Sequence, residues 1–265
     1  MKCVLSLGLG VQSSCLALMA REDEVTPMPD CAIWADTGSE ARWTYSWLDV
    51  LIPMLPFPVY RVCQGEGLLP NVKLPLRQDY KVTLPAFTES QTERGQLRRQ
   101  CTSDFKVKPI NRKLRQLAGI AHKRTPTEPI VTMWLGISLD EVGRMKSNRE
   151  PWIENRWPLI EKRMTRSDCL LWMERHGYPR PGKSSCVFCP FHSDGEWADV
   201  RQNDPDGWQT ALQVDELIRD GVRGRPERLY LHGSLKPLAE VDLRTDAERG
   251  QLDLWGNECS GYCHT

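Results

Sequence analysis

Residues 2–19, KCVLSLGLGVQSSCLALM, decide the fold of this chain. Val4 and Leu5 begin an apolar run, a Gly- and Ser-rich segment follows, and apolar residues at helical spacing come next. This order predicts a buried strand, a tight turn and a helix. Gly8 and Gly10 let a ligand approach the backbone, and the first N–H groups of a helix bind anions well. The turn is therefore a candidate phosphate site, although a Gly-rich turn of this kind can also be purely structural.

The composition limits the classes of protein that need to be considered. Among 265 residues, 35 Lys and Arg balance 35 Asp and Glu, so any basic surface for nucleic acid must be local. The N-terminal apolar run is short and broken by Gly and Ser, which argues against a signal peptide or membrane span and predicts a cytoplasmic protein without a membrane partner. In that compartment the ten cysteines are expected to be metal ligands or reactive thiols rather than disulfides.

Further strands and helices extend the pattern of the first stretch. Buried strands are predicted at residues 31–36, 59–63 and 130–136, and a capped helix is predicted at residues 165–177. Residues 64–93 show no strong periodicity and are expected to form a loop. Strands that alternate with helices predict an α/β fold with a doubly wound, mostly parallel sheet.

Polar residues follow the second predicted strand. Asp36 ends it and Gly38 comes shortly after, at the carboxyl end of a strand, where open α/β sheets bind ligands. The purely structural interpretation is a turn in which Thr37 or Ser39 caps the next helix. Both interpretations can hold at once.

Residues 94–115 form the most basic segment of the chain. The structural interpretation of this segment is a solvated helix face. The functional interpretation is a polyanion-binding site that includes Lys106 and Arg112. Arg144, after a later strand, offers a permanent planar cation for an anionic group. Its alternative role is a weak surface ion pair with Asp140, one helical turn earlier.

Cys186 and Cys189 form a C-x-x-C turn, which lets two thiolates reach one metal ion. In a cytoplasmic chain such a turn binds zinc, binds an iron–sulfur cluster or carries out thiol redox chemistry.

Several of these segments together resemble one superfamily, the N-type ATP pyrophosphatases and the related PAPS/APS reductases. The first turn is similar to their PP-loop, Ser-Gly-Gly-x-Asp-Ser. A "DTG…E" element, a "C-C-x-x-x-K-x-x-P-L" element around Cys101, a "G-x-R-x-D-E-S-x-x-R" loop after Gly136 and the C-x-x-C pair follow in the family's order. The departures are Leu7 inside the loop, Gln12 where Asp or Lys is common, Ser138 in place of an Arg, and the loss of the tandem cysteine.

The resemblance implies an adenine nucleotide alpha-hydrolase-like domain in residues 1–192, with a helical, cysteine-containing extension in residues 193–265. It implies that ATP, or PAPS or APS, binds with Mg²⁺. The implied nucleotide-binding residues are Ser6, Gly8, Gly10, Gln12, Ser13, Ser14, Asp36, Gly38 and Gly136. The implied anion-binding residues are Lys106, Arg112 and Arg144, and the implied catalytic residues are Asp36, Arg144 and Cys259.

The resemblance also implies a metal centre held by Cys101, Cys186 and Cys189. Cys169 or His192 would supply a fourth ligand, or one iron would stay open, as in the cluster-bearing tRNA-thiolating members. A 4Fe–4S cluster is the group that the resemblance favours, and structural zinc is the alternative.

Two chemistries follow from the resemblance. In the first, ATP adenylates an acceptor, pyrophosphate leaves and sulfur then displaces AMP, as in tRNA thiolation and DNA phosphorothioation. The basic segment and the changed loop favour this chemistry with a nucleic-acid acceptor, and a cysteine desulfurase would supply the sulfur. In the second, Cys259 attacks the sulfur of PAPS or APS and sulfite leaves on reduction. A third class is a non-catalytic, nucleotide-binding module stabilised by a metal.

Overall fold

The computed structural model describes residues 1–72, 84–89, 94–121, 123–220 and 227–244. The chain divides into two compact units whose segments alternate along the sequence. Unit 1 contains residues 1–36, 43–64 and 106–184, and unit 2 contains residues 37–42, 65–105 and 185–265. The sequence predicts two domains that follow each other along the chain, residues 1–192 and 193–265. That division remains a prediction.

The elements of both units are named in chain order. They are β1 (Lys2–Ser6), α1 (Val11–Arg21), β2 (Cys31–Asp36), α2 (Arg42–Leu51), β3 (Val59–Cys63), α3 (Leu68–Val72), β4 (Phe87–Glu89), β5 (Arg94–Gln96), α4 (Lys108–Leu117), β6 (Val131–Leu135), β7 (Ile153–Arg156), α5 (Pro158–Glu161), α6 (Arg166–Arg175), α7 (Asp194–Asn203), α8 (Pro205–Ile218) and β8 (Arg228–Tyr230). Short 3-10 turns lie at Ile52–Met54, Leu139–Arg144 and Leu238–Glu240, and a π-helix at Thr102–Val107 precedes α4.

Unit 1 is built on a five-stranded sheet in the order β3-β2-β1-β6-β7. All neighbouring strands are parallel, and Leu5 in the central strand pairs in register with Ala32 on one side and Trp134 on the other. The chain runs outward from β1 to β3 and then returns to the other side of β1. The carboxyl ends of β1 and β6 therefore flank the point at which the strand order reverses, which is where open α/β sheets bind ligands.

Helices cover both faces of this sheet. Leu5 and Trp134 pack in a buried cluster with side chains of α1, α2 and α6. Val4 and Met133 point to the other face and pack with Leu114 of α4. Both faces are buried at the centre of the sheet, so the central strands β1, β2 and β6 are nearly continuous apolar runs. The predicted doubly wound, parallel α/β fold is confirmed.

Unit 2 contains a three-stranded antiparallel sheet, β5-β4-β8, and the helices α7 and α8. Ser193 and Glu196 form a reciprocal cap at the start of α7, and Asp204 caps α8 by accepting the N–H of Gly207 at 3.0 Å. No helix in the described ranges is long and apolar enough to cross a membrane.

Two local expectations are wrong. The segment expected to be a loop between residues 64 and 93 contains α3 and β4. The second expectation is that Thr37 or Ser39 caps α2. The N–H of Arg42, where α2 begins, donates instead to Asp204 at 2.9 Å, and the Thr37 hydroxyl donates to Glu40 at 3.1 Å. A distant carboxylate therefore takes the place of the local helix cap expected from the sequence.

Candidate functional site

The turn between β1 and α1 is tight and leads directly into the first turn of a helix. Leu9 has a φ of 59°, a left-handed conformation that is unusual for a residue other than glycine. Its side chain is buried in the core, so packing holds the backbone in this conformation. Gly10 precedes α1 and gives it no side-chain cap. The first N–H groups of α1 therefore have no acceptor within the helix and are available to an anion.

The two serines after this turn have different environments. The Ser13 hydroxyl accepts the N–H of Gly8 at 3.1 Å and donates to the carbonyl of Gly10 at 3.3 Å, so it holds the turn closed. Ser14 is fully buried and accepts the indole N–H of Trp47 at 2.8 Å. Ser13 lies in the phosphate-loop candidate as predicted, whereas the hydroxyl of Ser14 faces the packing between α1 and α2. The nucleotide-binding assignment of both residues remains a prediction.

The end of β6 lies directly against the first turn of α1. A Cβ atom on Gly136 would lie 2.7 Å from the Cα and 2.8 Å from the backbone N of Ser13. Side-chain carbons do not approach backbone atoms so closely, so glycine is needed at this position. Ser6, which ends β1, pairs in register with Leu135 just before this glycine. Two segments predicted separately to bind nucleotide are therefore neighbours.

Gln12 connects the first turn of α1 to the loop after β6 and to the start of α6. Its amide nitrogen donates to the hydroxyl of Ser138 at 3.3 Å, and its amide oxygen accepts from Nη1 of Arg166 at 3.0 Å. Gln12 and Ser138 are two of the positions at which the sequence departs from the superfamily pattern, and here they contact each other. Arg166 was not identified from the sequence, because its only local signal is its place after the helix-capping residue Thr165.

Arg144 lies in the 3-10 turn that follows β6. Its Nη1 atom is 2.6 Å from Oε1 of Glu141, so its ion-pair partner is Glu141 rather than Asp140. Asp140 instead accepts the backbone N–H of Arg166 at 3.1 Å. The loop after β6 thus binds the start of α6. The anion-binding and catalytic roles of Arg144 remain predictions.

The start of α6 is fixed by the cap that the sequence predicted. The backbone N–H and the hydroxyl of Thr165 both donate to Asp168, at 2.8 and 2.7 Å. These hydrogen bonds, first that of the Thr165 hydroxyl, hold the pKa of Asp168 below its ordinary value. The carboxylate therefore stays ionised at neutral pH and its charge serves the cap.

Asp36, at the carboxyl end of β2, is almost completely buried. It accepts the hydroxyl of Tyr45 at 3.0 Å and Nε of Arg61 at 2.8 Å, and it also contacts Nη2 of Arg61. The guanidinium carbon of Arg61 lies 5.3 Å from the centre of the Trp34 ring. Asp36 therefore anchors an arginine at this edge of the sheet, and its catalytic role remains a prediction.

The other predicted anion-binding and turn residues are placed separately. Arg112 of α4 is exposed and donates to Gln64 at 3.2 Å, and Lys106 lies in the π-helix before α4. Gly38, in unit 2, has a left-handed φ of 69° and its segment is held by a hydrogen bond of 2.7 Å from the N–H of Leu68 to the carbonyl of Thr37. Their ligand-binding roles remain predictions.

The C-x-x-C segment forms the predicted turn in unit 2. The N–H of Cys189 donates to the carbonyl of Cys186 at 3.0 Å, and the N–H of His192 donates to that of Cys189 at 3.2 Å. The Cys186 sulfur lies 3.2 Å from the hydroxyl of Thr37, and Cys186 also forms a β-bridge with Glu40. The cysteine turn and the segment that follows β2 are therefore adjacent within this unit.

The other two predicted ligands have different surroundings. Cys101 in unit 2 is half-buried. Cys169 lies fully buried in the core of unit 1, and its hydrogen bond to Cys15, together with burial, raises the pKa of the Cys15 thiol above its ordinary value. Across the described ranges, no three His, Cys, Asp or Glu side chains are grouped so that they could hold a metal ion. The described residues therefore do not assemble the implied ligand set, and the metal-ligand assignment of Cys101, Cys186, Cys189 and Cys169 remains a prediction. Cys259 lies outside the described residues.

The cysteine assignment has a direct test. We expect Cys186→Ala to lose nearly all of the iron or zinc that anaerobically purified wild-type protein contains, because a C-x-x-C turn needs both thiolates to chelate a metal. It should also unfold at a lower temperature, since metal binding adds to folding free energy. Metal content would be measured by elemental analysis, with the exposed Cys63 replaced by alanine as the control. Equal metal in Cys186→Ala and Cys63→Ala would show that the turn is not a ligand.

No protein-family model matches the sequence, and neither does any curated protein. Among solved structures, the chain is similar to the U34-tRNA thiolase NcsA from Methanococcus maripaludis with its 4Fe–4S cluster. The identity is 14%, the match covers 82% of this chain and 72% of that chain, and the TM-score is 0.38. At this level of similarity the function has to be argued from the site itself.

Proposed function

We propose that the carboxyl edge of unit 1 binds the phosphates of an adenine nucleotide and that the protein is an ATP pyrophosphatase. The observation that supports this most is the uncapped start of α1, held by Ser13 and by the contact with Gly136, at the point where the strand order reverses. Helix N–H groups and the helix dipole favour a phosphate there. The adenine part of the proposal rests on the resemblance of the sequence motifs.

The proposed reaction is attack of an acceptor oxygen on the α-phosphorus of ATP. A bond forms between that oxygen and phosphorus, the bond to the bridging oxygen breaks, and pyrophosphate leaves with the electron pair. The acceptor proton passes to solvent. Negative charge grows on the phosphate oxygens during this step, and fixed N–H groups and arginines aimed at them are the main source of rate acceleration in phosphoryl chemistry. The proposal assigns this role to the N–H groups in the first turn of α1.

The proposal continues with sulfur transfer to the adenylated acceptor. A sulfide, or the outer sulfur of a persulfide delivered by a cysteine desulfurase, forms a bond to the activated centre while the bond to the AMP oxygen breaks and AMP leaves with the electron pair. In the persulfide case a second thiol then breaks the S–S bond, which leaves the sulfur on the acceptor and joins the two donor thiols in a disulfide. The acceptor proposed is a nucleic acid, because the basic segment continues into α4, where Lys108 and Arg112 are both exposed. Of the other cations of α4, Lys113 lies 4.0 Å from the centre of the Tyr60 ring and Arg115 donates to the carbonyl of Ile120 at 3.0 Å.

The test is an assay of three activities on one anaerobic preparation of the full chain. Binding of ATP and release of pyrophosphate in the presence of tRNA or DNA are expected. Sulfite release from PAPS or APS, without pyrophosphate release from ATP, would contradict the proposal and make the protein a sulfonucleotide reductase. Nucleotide binding with neither product would favour the non-catalytic module.

A further inference from the structure

We propose that Arg166 binds a second phosphoryl group of the nucleotide, next to the group held by the start of α1, so that the site selects di- and triphosphates over monophosphates. This inference rests on the proposed function, because it concerns the same edge of the sheet. It adds a residue that no sequence motif pointed to.

The side chain of Arg166 is positioned through Gln12. The Gln12 amide nitrogen donates to Ser138, whose hydroxyl is fully buried, and this contact turns the amide oxygen toward Arg166. The backbone of Arg166 is fixed as well, because its N–H donates to Asp140. The guanidinium is thus held at the first turn of α1 by Gln12, on a backbone that Asp140 fixes.

The charge environment of Arg166 favours an anion. Arg166 is the first residue of α6, and Gln12, which it contacts, lies in the first turn of α1. Both helix starts carry partial positive charge, so a cation is unfavourable there unless an anion is present. Among the described residues, the Asp140 and Asp168 carboxylates lie at the start of α6, where they accept hydrogen bonds from the backbone N–H groups of Arg166 and Thr165.

The guanidinium of Arg166 also has donors to spare. It carries five N–H donors, and among the described residues it hydrogen-bonds only to Gln12. Arg144 differs, because its charge is offset by Glu141. A phosphoryl group would accept from Arg166 in a charge-assisted pair, the geometry that a guanidinium favours.

Two positive groups separated by one side chain indicate two bound phosphoryl groups. The N–H groups of α1 are backbone donors that surround a single phosphate, as at other helix starts. In the part of the chain that the structure describes, Arg166 contacts this turn through the side chain of Gln12, and we therefore infer that it lies beside that phosphate position. Neighbouring phosphoryl groups of ATP share one bridging oxygen, which suits this arrangement. AMP would occupy only one of the two positions.

The experiment measures the Kd of ATP, pyrophosphate and AMP for the full chain by calorimetry. We expect Arg166→Ala to raise the Kd of ATP and of pyrophosphate about 10-fold or more. The Kd of AMP should rise much less, because AMP has no second phosphoryl group to accept the charge-assisted hydrogen bond from Arg166. Arg175→Ala removes an exposed arginine at the other end of α6 and should bind all three ligands like the wild type.

Gln12→Glu provides a second, independent variant. It keeps the side-chain size but pairs a carboxylate with Arg166, so it should weaken ATP and pyrophosphate in the same way without removing the arginine. Unchanged ATP affinity in Arg166→Ala, or an equal loss for AMP, would overturn the inference while leaving nucleotide binding intact. If Arg166→Ala does not fold, unchanged ATP affinity in Gln12→Glu overturns it. Wild-type protein that binds neither ATP nor pyrophosphate would refute the proposed function itself.

Discussion

Gly136→Ala is expected to abolish measurable ATP binding and to destabilise unit 1. The added Cβ would lie 2.7 Å from the Cα of Ser13, which is a backbone atom and cannot turn aside as a side chain could. The end of β6 and the first turn of α1 would have to separate. Overpacking of this kind costs about 1–3 kcal/mol of unfolding free energy. The larger effect should be on binding, because the displaced turn carries the N–H groups proposed to hold the phosphate.

The measurement combines urea unfolding with ATP titration of the same variant. Gly143→Ala is the matched control, because it makes the same chemical change in the 3-10 turn after β6, where a Cβ would meet no atom within 4 Å. That control should keep wild-type stability and affinity. If Gly136→Ala retained wild-type ATP affinity while losing stability, the phosphate position would not lie at the first turn of α1.

The central strands could be predicted because burial on both faces leaves a clear signal. The strand β2 is buried at every residue and has the bounds that its apolar run predicted. The edge strand β3 also has its predicted bounds, although its side chains are only partly buried or exposed. In contrast, the segment Ile153–Arg156 lies at the sheet edge and contains a Glu, an Asn and an Arg, so its sequence does not stand out as a strand. The short strands of unit 2 pair residues from distant segments, such as Phe87 with Tyr230, and local periodicity carries no information on such pairing.

The candidate site divides in the same way. The turn before α1 could be predicted, because its glycines mark a tight connection between a strand and a helix. The contacts of Gln12 with Ser138 and Arg166 join residues more than a hundred positions apart, and nothing local in the sequence specifies them. Cys169 illustrates a further limit. A thiol on a helix can be a metal ligand or a core residue, and only the packing of that helix places it against Cys15.

Arg61→Met is expected to destabilise unit 1, because it removes a cationic partner of the buried Asp36 carboxylate. The side chain of Asp36 is 3% exposed, whereas that of Arg61 is 61% exposed. Removing the cation of a buried ion pair lowers the free energy of unfolding by about 3–5 kcal/mol. We expect a loss at the lower end of this range, because the Arg61 side chain is largely exposed to water. Methionine can still make apolar contact with the Trp34 ring, so the loss of stability should come mainly from the removal of the guanidinium charge. Arg112→Met, an exposed control on α4, should change stability by less than about 0.5 kcal/mol.

Asp36→Asn separates the two roles assigned to this carboxylate. Alone, Asp36→Asn should lower the free energy of unfolding by about 1 kcal/mol. The substitution replaces a hydrogen bond between two charged groups by one to a neutral amide, and the Arg61 side chain can turn toward water. Combined with Arg61→Met it should restore much of the lost stability, because no charge then stays buried, and urea unfolding of the four proteins gives the coupling directly. Failure of this rescue would mean that the buried charge is not the cause. If Asp36 also acts in catalysis, the rescued double variant will fold and bind ATP but release no pyrophosphate. Wild-type turnover in that variant would limit Asp36 to anchoring Arg61.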